Sequence, residues 1–181
     1  VPSDQHASYM ILVDELRHDF FTIEEAPYEI ELYKDFYKST TMLSNLSTTN
    51  SILNVLGGIY AEENDYQDCL LLNERKMVVE AIHGTIFLVK NKSIKTPPLS
   101  DGCTNHILRK KLIEILKNVV DYELVEESIS PFELQKADEL FVINNIQGII
   151  PISKYRKKNF SDTTARNLVG KLNAAARITL V

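Results

Sequence analysis

The sequence predicts an α+β domain in which helices pack on a largely antiparallel, mixed sheet. Short apolar segments separated by polar turns fill residues 69–96, which is the pattern of an antiparallel meander. Two longer segments, 49–64 and 105–119, repeat apolar residues at the spacing of an amphipathic helix. With 181 residues, the chain has the length of one domain with a single core.

The first elements follow in chain order. Residues 9–13 (YMILV) form an apolar run that predicts a buried strand, and residues 28–37 begin with the alternation of a half-buried strand. The Ser, Thr and Asn residues of segment 43–50 end in good N-cap residues for the helix over 49–64. We predict that the apolar face of this helix consists of Ile52, Val55, Leu56, Ile59 and Tyr60.

Prolines and helix-capping residues mark the boundaries of the later helices and strands. Pro97 and Pro98 end the meander, and SPFE at 130–133 has the form of a capping box that opens a short helix to Ala137. Ser161 or Asp162 is expected to cap a last helix that runs to about Arg177. We predict strands over residues 69–72, 77–81, 85–90, 93–96, 139–144 and 149–153.

Composition excludes several classes of function. The net charge of -5 argues against a nucleic-acid partner, because phosphate binding needs a basic surface. The one basic run, KYRKK at 154–158, is interpreted as a solvated loop or strand end. No apolar run approaches the roughly 20 residues that span a bilayer, and no signal peptide opens the chain. Two cysteines make no disulfide framework, so we expect a cytoplasmic protein with free thiols.

Three stretches carry a family likeness: VVEAIHGTIFLVKN at 78–91, IKTPPLSDGCTNHILRKKLIEIL at 94–116, and ADELFVINNIQGIIPI at 137–152. They resemble the large C-terminal domain of pyridoxal-phosphate enzymes of fold type IV, the family of class IV aminotransferases and aminodeoxychorismate lyases. The likeness covers nearly all 181 residues but only the second half of a family member. The resemblance implies that residues 1–181 are one cofactor-binding domain and that the small N-terminal domain of the family is absent.

The resemblance assigns a role to Glu80. Pyridoxal phosphate acts as an electron sink, which a protein must hold and tune. In the family a carboxylate keeps the pyridine nitrogen protonated, and Glu80 matches that position. We therefore expect Glu80 on a central strand, facing a groove at the start of the helix over 105–119.

The resemblance also assigns the phosphate end of the cofactor. Ile107 and Leu108 match the positions whose backbone N–H groups bind the phosphate at a helix N-terminus, and their side chains are expected in the core. Asn145, with Asn144 beside it, matches the position of a phosphate-binding hydroxyl, and an Asn amide can still donate a hydrogen bond. A plain turn is the alternative interpretation of these two Asn residues.

The chain departs from the family at the lysine that forms the Schiff base. Ser47 lies 33 residues before Glu80, which is the family spacing between lysine and carboxylate. A serine hydroxyl cannot form an imine with an aldehyde. Lys38 precedes this loop and Lys76 falls in a hairpin turn, so neither replaces the lysine convincingly. Any binding of pyridoxal phosphate is expected to be non-covalent.

Other departures surround the site. His83 and Thr85 occupy the loop positions where Asn is usual, and Thr85 counts among the expected cofactor-binding residues. His106 takes the place of a glycine, so its Cβ is expected to narrow the site or tilt the loop. Arg109 fits the family arginine after the phosphate loop and is interpreted as structural. The two histidines lack a third ligand at a sensible spacing, which argues against a metal site.

Three functional hypotheses remain open. The first is descent from a transaminase of amino acids or a lyase acting on aminodeoxychorismate, with this chain inactive because of Ser47. The second is a degenerate homologue that binds pyridoxal phosphate weakly or binds a partner. The third is an interaction domain that shares only the scaffold. Because the N-terminal domain of the family is expected to be absent, we also expect an exposed apolar face that this domain or a homodimer partner would cover.

Overall fold

The protein is an α+β domain built from two mixed five-stranded sheets and their helices, in a computed structural model that describes residues 6, 8–15 and 18–179. In this part of the chain the strands are β1 (Glu29–Leu32), β2 (Asp68–Leu72), β3 (Val78–Ala81), β4 (Thr85–Lys90), β5 (Ser93–Thr96), β6 (Glu123–Glu126), β7 (Glu139–Asn144), β8 (Gly148–Pro151), β9 (Lys154–Tyr155) and β10 (Lys158–Asn159). The α-helices are α1 (Ile52–Glu63), α2 (Ile107–Lys117), α3 (Pro131–Lys136) and α4 (Thr163–Thr179). The predicted fold class is confirmed, with two sheets rather than one.

Each sheet mixes parallel and antiparallel pairs. The first has the strand order β10-β9-β1-β2-β3, and β1 runs parallel to both β2 and β9. The second has the order β6-β5-β4-β7-β8, and only its edge strand β6 pairs in parallel, with β5. Antiparallel pairs join β2 to β3, β4 to β5 and β7, and β7 to β8.

The central strands β4 and β7 are almost wholly apolar because both of their faces are covered. Successive side chains in a strand point to opposite faces. One face packs against the first sheet and contributes Ile86, Leu88, Leu140 and Val142 to a core shared with β1 and β2. The opposite face packs against α2 and α4 and contributes Phe87, Val89, Phe141 and Ile143. The rings of Phe87 and Phe141 stack with centroids 5.1 Å apart.

The helices begin close to the predicted residues. α3 starts at Pro131, and the Glu133 carboxylate accepts the backbone N–H of Ser130 at 2.9 Å, as a capping box requires. α4 starts at Thr163, next to the predicted cap. Its first N–H groups, however, donate to Glu139 of β7 rather than to a local cap.

Two sequence-based predictions about burial are wrong. Residues 9–13 do not form a buried strand: their side chains are between 75% and 87% exposed, and no described strand pairs with them. An apolar run alone cannot supply the neighbouring strand that would cover it. On α1, only Leu56 and Tyr60 of the predicted face pack inward, whereas Ile52, Val55 and Ile59 are about half exposed.

No helix in the described residues is long and apolar enough to cross a membrane.

Candidate functional site

Glu80 is a buried carboxylate with a hydrogen bond on each oxygen. It lies in β3 opposite Leu71 and is only 3% exposed. Its Oε2 accepts the backbone N–H of Thr104 at 2.6 Å, and its Oε1 lies 2.6 Å from the Nζ of Lys38. β3 is the edge strand of its sheet, so the expectation of a central strand is wrong.

Lys38 is the site residue that the sequence did not indicate. After β1 the chain leaves the sheet and returns beside β2, where the N–H of Lys38 donates to the carbonyl of Leu72 at 2.8 Å. This contact fixes the backbone of Lys38, and the side chain is 14% exposed. Its ammonium group bridges Glu80 and the hydroxyl of Thr104, the latter at 2.9 Å.

A cavity of about 820 Å³ lies beside this ion pair. Ser47 lines it together with Glu80, so the structure brings these two predicted positions to one cavity. His106, the residue before α2, lines the same cavity. Lys38 supplies the one primary amine in the lining, and the loop of residues 38–51 supplies several Ser and Thr hydroxyl groups.

The N-terminus of α2 forms the adjoining part of the site. The N–H of Leu108 donates to the side-chain oxygen of Asn145 at 3.2 Å, so these two predicted residues are in contact. Ile107 is the first helical residue, and its side chain is 71% exposed rather than in the core. His106 has φ -61°, a value open to any residue, so its backbone does not require glycine. Burial lowers the pKa of this imidazole.

Ile107, Leu108 and Asn145 do not line this cavity, and Asn145 lines a second one. Asn144 and Thr85 also lie outside the lining. The side-chain oxygen of Asn144 accepts the N–H groups of Ile146 and Gln147, which closes the turn between β7 and β8. Thr85 is fully buried at the start of β4, opposite Ile143, and its hydroxyl has no hydrogen-bond partner among the described residues.

Arg109 is a structural residue of α2, as expected. Its guanidinium group is almost fully buried and donates to the carbonyl of Pro97 at 2.9 Å and to the carboxylate of Glu126 at 2.8 Å. These bonds tie α2 to the turn after β5 and to the edge strand β6. The arginine thereby holds the N-terminus of α2 against the second sheet.

His83 belongs to a separate polar cluster. The buried carboxylate of Asp68 accepts the Tyr28 hydroxyl at 2.9 Å, and the Nδ1 of His83 lies 3.4 Å from the same oxygen. The hydrogen bond to Asp68 raises the pKa of His83. His83 faces a second cavity, of about 780 Å³, rather than the one beside Glu80. No group of three or more metal-binding side chains occurs in the described part of the chain.

The two cysteines are buried thiols. Burial is the main cause that raises the pKa of Cys69 to about 12 and that of Cys103 to about 11. Both side chains are therefore protonated near neutral pH, which makes them poor nucleophiles. Cys103 comes directly before Thr104, and its thiol lies 3.5 Å from the carbonyl oxygens of Pro97 and Pro98.

A match to a family model defines the chain as a class IV aminotransferase domain. The model of that family matches residues 2–155, and the chain belongs to this family, whose members depend on pyridoxal phosphate. It is similar to aminodeoxychorismate lyase of Vibrio harveyi, with 26% identity over 112 residues that cover 62% of this chain and 41% of the relative. It is also similar to branched-chain-amino-acid aminotransferase 1 of Arabidopsis thaliana, with 32% identity over 101 residues, 55% of this chain and 26% of the relative.

A solved structure has the same fold. It is an aminotransferase from Brucella abortus bound to the co-factor PLP, with 18% sequence identity and a TM-score of 0.71. The match covers 83% of this chain and 56% of the Brucella chain. The chain thus spans less than half the length of the two sequence relatives and little more than half of this structure.

Proposed function

We propose that this chain binds pyridoxal phosphate without a covalent bond and, with serine at position 47, catalyses neither transamination nor lyase chemistry. The observation that carries the proposal is the cavity that Ser47 shares with the buried carboxylate of Glu80. When bound, pyridoxal phosphate supplies an electron sink. Ser47 has no amine with which to hold the aldehyde group of the cofactor.

Glu80 in the cavity and the first residues of α2 next to it fit two different groups of the cofactor. Glu80 can hold the protonated ring nitrogen, because a buried carboxylate favours a cationic donor. Ile107 and Leu108 directly follow His106 and start α2, where backbone N–H groups can stabilise a phosphate by hydrogen bonds and by the helix dipole. The N–H of Leu108 would have to exchange its bond to the side-chain oxygen of Asn145 for one to the phosphate. His106 lines the cavity and directly precedes these N–H groups, which supports phosphate binding there.

For the whole protein, we propose an amino acid or aminodeoxychorismate as the substrate. A branched-chain aminotransferase and an aminodeoxychorismate lyase are both among its relatives, so these comparisons do not favour one of the two reactions. Because the chain spans less than half of either relative, an N-terminal domain or a partner subunit would complete the substrate pocket.

Glu80→Gln is expected to weaken binding of pyridoxal phosphate by at least about tenfold. A hydrogen bond to a charged partner contributes about 1.5–3 kcal/mol, and the amide replaces the carboxylate that favours a protonated ring nitrogen. Binding is measured by titration followed through cofactor absorbance and thermal shift. Glu63→Gln, an exposed glutamate at the end of α1, is the matched control and should bind like the original protein.

The same titration tests the absence of a covalent bond. Borohydride reduction followed by mass spectrometry should find no stoichiometric adduct on any lysine. A stoichiometric adduct on one lysine, or equal affinity of the Glu80→Gln variant, would contradict the proposed function.

An interaction domain is the second candidate function, and a specific surface favours it. The exposed face of α1 is made of Ile52, Val55 and Ile59, and Met42 and Leu43 are exposed in the segment that precedes it. These side chains are between 47% and 82% exposed. Several large apolar side chains exposed on one helix are typical of a surface that another protein covers.

We expect the chain to associate in solution through this α1 face. Light scattering should give a mass above the 20.6 kDa of one chain. Val55→Lys places a charge in the centre of the face and should return the mass toward that of a monomer. Val120→Lys changes a fully exposed valine in the loop after α2 and should leave the mass unchanged. A monomeric original protein would contradict this proposal.

A further inference from the structure

We propose that Lys38 is an internal counterion that competes with the ring nitrogen of the cofactor for Glu80. This inference rests on the proposed function, because it concerns the same cavity. It makes Lys38 a determinant of which ligands the cavity accepts. Ligands with a basic ring nitrogen must displace the Lys38 ammonium group, and ligands without one need not.

The two oxygens of Glu80 are held in different ways. Oε2 is bound to a backbone N–H, that of Thr104 at 2.6 Å, which cannot leave without moving the chain before α2. Oε1 is bound to the end of a flexible side chain, that of Lys38 at 2.6 Å, and accepts a longer hydrogen bond from the hydroxyl of Thr104 at 3.4 Å. Of the two positions on the carboxylate, only the one on Oε1 can be vacated by a change of side-chain rotamer.

The charge balance of the site favours one cation at a time. Glu80 is 3% exposed, and a buried carboxylate without a charged or hydrogen-bonding partner is strongly unfavourable. Lys38 therefore stabilises the site when no other cation is bound. A protonated ring nitrogen offers the same N–H donor and the same charge. Two cations beside one carboxylate repel each other, so the binding of the ring nitrogen is weakened while the Lys38 ammonium group stays on Glu80.

The position of Lys38 allows it to move without unfolding the site. Its backbone is fixed by the hydrogen bond to Leu72, and the ammonium group sits at the wall of the 820 Å³ cavity. Hydroxyl groups of Ser44 and Ser47 line the same cavity and provide polar surroundings for the displaced ammonium group. The site thus has no amine at position 47. Its amine is that of Lys38, which pairs with the carboxylate of Glu80.

The test compares two ligands that cannot form an imine. Pyridoxine 5′-phosphate has a ring nitrogen and a phosphate, and benzyl phosphate has the phosphate without the nitrogen. Lys38→Met should bind pyridoxine 5′-phosphate about tenfold more tightly than the original protein, and benzyl phosphate within about twofold. Calorimetric titration of the whole chain measures both. Lys38→Arg keeps a cation on Glu80 and should resemble the original protein.

A second neutral variant guards against misfolding, because Lys38→Met leaves Glu80 without its cation. Lys38→Gln can still donate a hydrogen bond to Glu80 and should show the same gain for pyridoxine 5′-phosphate. In both variants, saturating pyridoxine 5′-phosphate should raise the melting temperature more than it does in the original protein.

Each outcome separates this inference from the proposed function. Unchanged or weaker binding of pyridoxine 5′-phosphate by both neutral variants overturns the role of Lys38 and leaves cofactor binding in place. An equal gain for benzyl phosphate shows a general widening of the cavity and also overturns it. A borohydride-reduced adduct of pyridoxal phosphate on Lys38 would identify an imine-forming amine instead of a counterion. No binding of either ligand by any variant overturns the proposed function itself.

Discussion

Ser47→Lys is expected to convert the chain into a protein that attaches pyridoxal phosphate covalently. Addition of the cofactor should give a yellow protein with the red-shifted absorbance band of a protonated Schiff base, whereas the original protein should show no such band. After borohydride reduction, mass spectrometry should find about one adduct per chain, at position 47. The physical reason is that Ser47 and the buried Glu80 line the same cavity, so only the amine is missing.

The control for this variant is a lysine one residue away. Thr48 also lines the cavity, so Thr48→Lys adds the same amine to the same loop at a position that the family pattern does not indicate. It should give no stoichiometric adduct. A colourless Ser47→Lys variant would contradict the expectation that only the amine is missing from this cavity. If the Ser47→Lys and Thr48→Lys variants formed equal amounts of the cofactor adduct, the loop would not direct position 47 specifically toward the cofactor.

A double variant connects this result with Lys38. If the ammonium group of Lys38 competes with the ring nitrogen, then Lys38→Met in the Ser47→Lys background should lower the cofactor concentration needed for half-maximal labelling. The competing ion pair is short, at 2.6 Å, and nearly buried. Both changes therefore act on one cavity, and their effects should not simply add.

Local patterns predicted most of the fold, and pairings distant in sequence account for the differences. The helices α2 and α3 and the strands β4, β5 and β7 follow from apolar spacing and turn residues, which act over a few positions. β6, with the sequence ELVE, was not predicted, because it is an exposed edge strand with only two apolar residues. It joins the sheet in parallel to β5 because α2 crosses between the two strands.

In the candidate site, too, some residues were predicted from the sequence and one depends on the pairing of distant strands. Ser47, Glu80, Leu108 and Asn145 were indicated by family spacing, and the structure brings the first two to one cavity and the last two into contact. Lys38 was set aside because it precedes the loop of Ser47. Its contact with Glu80 depends on the parallel pairing of β1 with β2, which carries the chain after β1 alongside Leu72. The spacing of residues in the sequence does not reveal that Lys38 and Glu80 are neighbours, because they lie on different parts of the sheet.

The start of α4 illustrates how a distant residue can replace a local cap. The sequence indicated Ser161 or Asp162, but the side chain of Asp162 pairs with Arg166 at the surface. The N–H of Thr164 donates instead to both carboxylate oxygens of Glu139, at 3.0 and 2.8 Å, and its hydroxyl donates to the same group at 3.0 Å. The N–H of Ala165 donates as well, at 3.3 Å. Glu139 is 5% exposed, so these bonds are shielded from water.

Glu139→Ala is therefore expected to lower the free energy of unfolding by about 3 kcal/mol, because it removes a charged acceptor and leaves buried N–H donors without a partner. α4 packs on β7 and β8, whose connecting turn carries Asn145, so the contact between Asn145 and Leu108 should loosen too. Urea unfolding measures the change by linear extrapolation. Asp162→Ala is the control and should cost no more than about 1 kcal/mol, because its ion pair is exposed. A larger loss for Asp162→Ala than for Glu139→Ala would show that the local cap, and not the strand, starts this helix.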